Sequence, residues 1–94
     1  MIEVRRLSED QPFRYAVTVR EGQGETRHEV TISRAQCERL TASRHSPDQC
    51  IEAAFRFLLD REPKELILRR FDVNVISRYF PEFKRELPGY LAKL

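Results

Sequence analysis

The sequence of 94 residues is short of net charge, cysteine and glycine, and each shortage excludes a class of protein. The formal net charge is only +2, from 17 basic and 15 acidic residues. Dedicated nucleic-acid domains are usually far more basic, so the charge argues against DNA as the main partner. The two cysteines, Cys37 and Cys50, are too few for the disulfide framework of a small secreted domain.

Long apolar segments are also missing. No apolar run approaches the roughly 20 residues that a transmembrane helix needs, and the opening residues MIEVR lack the apolar core of a signal peptide. We therefore expect a cytoplasmic protein that has no membrane partner and whose thiols are reduced.

The chain offers few of the patterns that carry catalysis. Two of its three glycines, Gly22 and Gly24, lie between strand-like segments, which indicates a hairpin turn rather than a phosphate-cradling loop before a helix. Pairing a cysteine nucleophile with a histidine base would require a tertiary coincidence that nothing in the sequence supports. We therefore predict that the protein is not an enzyme and binds no cofactor.

Cysteine and histidine could in principle bind a metal, but their spacing argues against it. Zinc ligands usually come in pairs about two to four residues apart, whereas Cys37 and Cys50 are widely separated and the nearest pair is His45 and Cys50. We predict no metal site and expect both cysteines in the core, with a reactive thiol as the alternative. His28 is in phase with apolar strand positions, which predicts a core histidine at a strand end, and His45 is expected in a solvent-exposed loop.

The first third of the chain shows the period-two alternation of half-buried strands. The alternating residues are Phe13, Tyr15, Val17 and Val19 in one segment, and His28, Val30 and Ile32 in the next. A shorter strand precedes the turn at residues 10–12. We predict a three-stranded antiparallel β-meander with strands at about residues 2–7, 13–20 and 27–32.

Capping signals and proline mark helices in the rest of the chain. Ser33 and Ser46 are each followed three residues later by glutamine, which is a capping box, and Asp72 is a plausible N-cap. We predict helices at about residues 34–41, 47–61, 64–70, 73–80 and 82–87, with Pro88-Gly89 ending regular structure. The expected fold is a single α+β domain over residues 1–94, in which three to four helices pack on one face of the meander.

Residues 69–83 read RRFDVNVISRYFPEF and superficially resemble the turn and reading helix of a helix-turn-helix protein. That motif needs an apolar residue about five positions after the first apolar residue of its second helix. Counting from Val73, this position is Arg78, and Pro81 shortens the helix further. We therefore predict a packed helix with its arginines outward. Val73, Ile76 and Phe80 should be in the core, and Tyr79 and Phe83 should reach the surface.

Surplus aromatics beside charged residues are typical of interfaces. Our leading hypothesis is a non-catalytic protein-interaction module that binds a protein partner or itself, through an edge strand or the C-terminal segment. The alternative is a nucleic-acid-associated regulator, in which arginines contact phosphates and aromatics stack on bases. Both hypotheses use the same candidate surface, which consists of Arg69, Arg70, Arg78, Tyr79, Phe83, Lys84 and Arg85.

Residues 57–83 read FLLDREPKELILRRFDVNVISRYFPEF, and residues 28–40 read HEVTISRAQCERL. These segments resemble a family of small bacterial proteins that share FLLxREPKExIL followed by FDxxVIxxYFPE(F/Y). The resemblance spans most of the chain and implies a bacterial, cytoplasmic protein. The family has no assigned activity, so the resemblance implies no catalytic residue or cofactor.

Overall fold

The computed structural model describes residues 1–94 as an α+β domain with one four-stranded sheet in the order β1-β2-β3-β4. None of its helices has the length and apolarity to cross a bilayer. Two 3-10 helices occupy Lys64–Leu66 and Val73–Val75. The other elements are strands β1 (Ile2–Ser8), β2 (Phe13–Glu21), β3 (Gly24–Ile32) and β4 (Arg70–Asp72), and helices α1 (Arg34–Thr41), α2 (Pro47–Leu59), α3 (Ile76–Tyr79) and α4 (Phe83–Leu91).

The predicted antiparallel meander is present in β1, β2 and β3. The β2–β3 hairpin is tighter than expected, because Glu21 pairs with Gly24 and only two residues form the turn. Gly22 has a φ of 65°, a conformation that glycine adopts without steric cost. Strand β3 therefore begins at residue 24 rather than 27, and His28 lies inside the strand rather than at its end.

The prediction of three strands is incomplete, because β4 adds to β3 as a parallel fourth strand. A helix over residues 64–70 was expected, but only a single 3-10 turn forms there and the chain then becomes extended. The backbone N–H of Glu29 donates to the carbonyl of Arg69 at 2.7 Å. An extended segment can satisfy the open edge of β3 in this way, whereas a helix could not. The periodicity of a short apolar run does not distinguish a helix from an extended segment.

The capping signals predicted the helix starts correctly. Ser33 and Ser46 both form complete capping boxes, with side-chain and backbone bonds to the glutamine three residues later. Asp72 caps the second 3-10 helix by accepting from the backbone N–H of Asn74 at 3.0 Å. The expected helix over 73–80 is divided into that 3-10 turn and the four-residue α3.

Helix α4 overturns the prediction that Pro88-Gly89 ends regular structure. It continues to Leu91 although Pro88 lies inside it and has no N–H for the helical hydrogen bond. Phe83, Leu87 and Leu91 repeat every four residues and are all buried. Their burial against the core offsets the local cost of the proline, which is about 3 kcal/mol in an isolated helix interior.

Helix α2 lies at the centre of the core, between the sheet and α4. Its N-terminal end is tied to β2 by the Tyr15 hydroxyl, which donates to Asp48 at 2.7 Å. The ring of Phe55 packs against His28 of β3 in a tilted arrangement, with ring centroids 5.3 Å apart. On the other side Phe57 meets Phe83 edge-to-face at 5.0 Å. Phe57 therefore joins the helical layer that carries the C-terminal half of the chain.

Helix α2 ends at Leu59 rather than at the predicted residue 61. Arg61, just after this end, holds it against α4. Its guanidinium lies 3.6 Å from the centre of the Phe57 ring and donates to Glu82 and Glu86 at 2.9 and 2.6 Å. Burial opposes its charge, but the hydrogen bonds to these acceptors outweigh that effect, so the pKa of Arg61 is raised. These contacts join the end of α2 to the start of α4, just before the chain enters the first 3-10 helix.

Candidate functional site

An apolar groove of about 310 Å³ lies between the end of α2, the first 3-10 helix, β4 and α3. Small-molecule sites usually place several polar groups that orient the ligand. This groove offers a single acidic or basic residue, Glu62, which suits a side-chain contact surface better than a substrate pocket. Its ten lining residues are Leu58, Glu62, Leu66, Ile67, Leu68, Phe71, Val75, Ile76, Tyr79 and Phe80.

The groove collects exposed apolar side chains. Leu66 and Tyr79 are each 66% exposed and Leu68 is 46% exposed. The chain's other exposed large hydrophobic residues are scattered, at Leu7 and at the two termini. Single exposed apolar residues are ordinary, but a contiguous exposed group marks an interaction site in many folded proteins.

His28 anchors one wall of the groove to the sheet. Its Nδ1 lies 2.7 Å from the carbonyl oxygen of Leu68, and its Nε2 lies 2.9 Å from the hydroxyl of Thr26. Because a carbonyl only accepts, Nδ1 carries the proton and Nε2 accepts from the threonine. Burial lowers the pKa of His28, so the imidazole is neutral at pH 7. The predicted core location of this histidine is confirmed, since it is 4% exposed.

Asp72 anchors the opposite end of β4. Its carboxylate accepts from the hydroxyl of Thr31 at 2.6 Å and from the amide of Gln36 at 2.8 Å. Together with the cap on the second 3-10 helix, these bonds tie β4 to both β3 and α1. Residues Phe71 and Val75, which flank this anchor, are thereby held in the groove lining.

Three arginines close in sequence to the groove lining are unpaired, although none of them lines the groove. Arg69, Arg70 and Arg78 are exposed and make neither an ion pair nor a side-chain hydrogen bond, although each is next in sequence to a lining residue. The acid in the groove, Glu62, also has no ion-pair partner, and burial raises the pKa of its carboxyl. Because successive side chains of a strand alternate between faces, Arg70 of β4 points away from the face on which Phe71 lines the groove.

The predicted candidate surface is divided by the structure. Tyr79 lines the groove, and Arg69 and Arg78 are next in sequence to lining residues. Arg70 points to the other face of β4, Arg85 is exposed on α4 and Lys84 lines a different pocket. The expectation that Phe83 reaches the surface is wrong, since it is 1% exposed. It begins α4, and its ring is buried against Phe57. Val73 and Ile76 are buried as predicted, and Phe80 is partly buried.

Two groove residues were not identified from the sequence. Leu66 and Leu68 fall within the helix predicted over residues 64–70 and were not assigned to the candidate surface. Ile67 is buried, whereas Leu66, the last residue of the first 3-10 helix, and Leu68, in the extended segment that follows, are exposed. The run Leu66-Ile67-Leu68 was the available signal, since three consecutive apolar residues cannot all face one side.

The cysteines are buried and unpaired, as predicted for core residues. Burial raises the pKa of the Cys50 thiol to about 12 and raises that of Cys37 as well. A thiol with a raised pKa is a poor nucleophile at neutral pH. No group of three or more His, Cys, Asp or Glu side chains is arranged to hold a metal ion.

No protein-family model matches the chain, and no curated protein or solved structure shows significant similarity to it. The resemblance of residues 57–83 to a bacterial family therefore stays a prediction. The function must be argued from the geometry of the groove itself.

Proposed function

We propose that the protein is a non-catalytic interaction module of the bacterial cytoplasm, whose groove binds an apolar, acid-flanked helical segment of another protein. The observation that carries this proposal is the convergence of Leu66, Leu68 and Tyr79, all exposed, on one apolar groove. A helix in such a groove contributes apolar anchors at positions i, i+3 or i+4, and i+7.

The sheet edges support docking in the groove rather than strand addition. The free edge of β1 carries a register shift between Arg6 and Ser8, and its arginines are exposed. Bulges and charges of this kind discourage pairing with another strand. The other edge, β4, is three residues long. Neither edge offers a long, flat and unbroken row of backbone donors.

The charges near the groove favour an acidic partner. Arg69 and Arg78, which are next in sequence to Leu68 and Tyr79 of the lining, have no carboxylate partner within the domain. We infer that acidic side chains beside the apolar anchors would reach their unpaired guanidinium groups. Such complementarity mainly raises the association rate and sets specificity, whereas the apolar anchors supply most of the affinity. A second copy of this nearly neutral chain offers less complementarity.

Selection of peptides from a random display library would test the proposal. We expect enriched peptides to combine helically spaced apolar residues with aspartate or glutamate. Replacing a buried anchor contact typically costs about 2 kcal/mol, or roughly 30-fold in affinity. Tyr79→Glu and Leu66→Glu should each weaken binding by at least this factor in fluorescence anisotropy. Leu7→Glu is the matched control, because Leu7 is exposed but distant from the groove lining.

Three outcomes would overturn the proposal. Peptides that bind the Tyr79→Glu variant as tightly as the original chain would remove the groove from the interface. A dimer that dissociates on the same substitution in analytical ultracentrifugation would make a second copy the occupant. Salt-sensitive binding of single-stranded RNA that is lost in Arg69→Gln/Arg70→Gln, without any peptide binding, would favour the nucleic-acid alternative.

A further inference from the structure

A second concave site lies on α1, α3 and α4, away from the apolar groove. Its volume is about 560 Å³, which is within the usual range for small-ligand sites, roughly 300–1,000 Å³. It is formed by the end of α1, the loop before α2, the second 3-10 helix, α3 and one side of α4. Unlike the groove, it includes many polar residues: only six of its fifteen lining residues are hydrophobic.

Two residues that line this pocket carry the chain's buried side-chain polar atoms without a hydrogen-bond partner. These atoms are Nδ1 of His45 and Oγ of Ser77. Buried polar atoms are nearly always paired, so an orphaned pair in one pocket calls for a bound polar group. The imidazole can donate or accept, and the hydroxyl can do both. His45 was expected in a solvent-exposed loop, but it is partly buried.

The charge of the pocket is of one sign. Arg39, Arg44 and Lys84 line it, are exposed, and form no ion pair or side-chain hydrogen bond. No aspartate or glutamate lines it. The carboxylate of Asp72 contacts two lining residues, Gln36 and Asn74. It already accepts hydrogen bonds from both of them and from Thr31. No acidic side chain of the lining therefore balances the charge of these three cations.

We propose that this pocket binds the phosphate group of an organic phosphate. Arg39, Arg44, Lys84, Ser77 and His45 line the same pocket and carry groups that can donate to phosphate oxygens, which form strong charge-assisted hydrogen bonds. The apolar side chains of Leu40, Phe83 and Leu91 line the same pocket and provide a surface for the organic part of the ligand. This inference is independent of the groove and of the partner proposed for it.

Titration of the ¹⁵N-labelled chain with pyrophosphate, adenosine monophosphate and adenosine tests the inference. We expect the first two to shift the amide signals of Arg44, His45 and Ser77, and adenosine to have no effect. Arg39→Gln/Lys84→Gln should lower the affinity at least tenfold, about 1.4 kcal/mol, because it removes two charge-assisted contacts. Arg69→Gln/Arg70→Gln removes the same net charge outside the pocket and should leave affinity unchanged.

The outcomes separate a built site from general attraction to anions. Equal losses in the two double variants, or shifts distributed over the whole basic surface, would overturn the inference. So would the absence of binding by both phosphate compounds. Ser77→Ala should weaken binding without lowering thermal stability, because it removes an unpaired hydroxyl. Competition of a short single-stranded RNA with pyrophosphate at these same residues would support phosphate recognition and assign its source to a nucleic-acid backbone.

Discussion

Phe83 and Tyr79 are four residues apart, and substituting each in turn tests the placement of the C-terminal segment. Phe83 is 1% exposed and Tyr79 is 66% exposed. Phe83→Leu keeps an apolar side chain but removes the edge-to-face contact with Phe57. That contact contributes about 0.5–1.5 kcal/mol, and the change of shape in a packed core adds up to about 1.5 kcal/mol. We expect a loss of about 2 kcal/mol in the free energy of unfolding.

The same estimate gives a thermal shift. In a domain of this size 1 kcal/mol lowers Tm by about 4–8 °C, so Phe83→Leu should lower it by roughly 8–16 °C. Tyr79→Leu changes a mostly exposed side chain and should stay within about 0.5 kcal/mol of the original chain. Urea unfolding followed by far-UV circular dichroism measures both. An equal effect of the two substitutions, or a larger one for Tyr79, would refute the assignment of Phe83 to the core.

Two further predictions concern buried titratable groups. The pKa of His28 is lowered in the folded chain. The contribution of His28 to stability is therefore complete above its pKa in the unfolded chain, about 6.5, and is lost as the pH falls through its pKa in the folded chain. One proton limits this slope to about 1.4 kcal/mol per pH unit, and His28→Asn should remove it from urea midpoints measured between pH 7 and 5. Cys37 and Cys50 should resist iodoacetamide at about pH 8 in the native chain and react in urea, as read by mass spectrometry. Rapid native alkylation of Cys50 would support the reactive-thiol alternative.

Local signals predicted much of the fold. The serine caps of α1 and α2 and the alternation in β2 and β3 depend on residues within a few positions of one another. The fourth strand and the passage of α4 through Pro88 do not. Strand β4 requires the open edge of β3, and the helix through Pro88 requires core contacts at Phe83, Leu87 and Leu91. Tertiary contacts of this kind override local propensity.

The candidate sites were predictable only in part. Tyr79 and the arginines beside it were recognised because an aromatic residue among charges is unusual on a helix. Leu66 and Leu68 were missed because a helix was predicted over residues 64–70, where a short 3-10 helix and an extended segment form instead. The phosphate pocket was beyond sequence reasoning, since His45 and Ser77 come together only when the loop before α2 meets α3.

The pairing of β4 with β3 has a consequence for the order in which the domain assembles. The imidazole of His28 bonds to the carbonyl of Leu68 across 40 positions of sequence, whereas the two hairpins join neighbouring segments. Local hairpins form within microseconds, and contacts between distant segments form later because they require closure of a long loop. The groove therefore forms only when β4 pairs with β3. A partner that recognises it would distinguish a finished domain from a chain still completing its sheet.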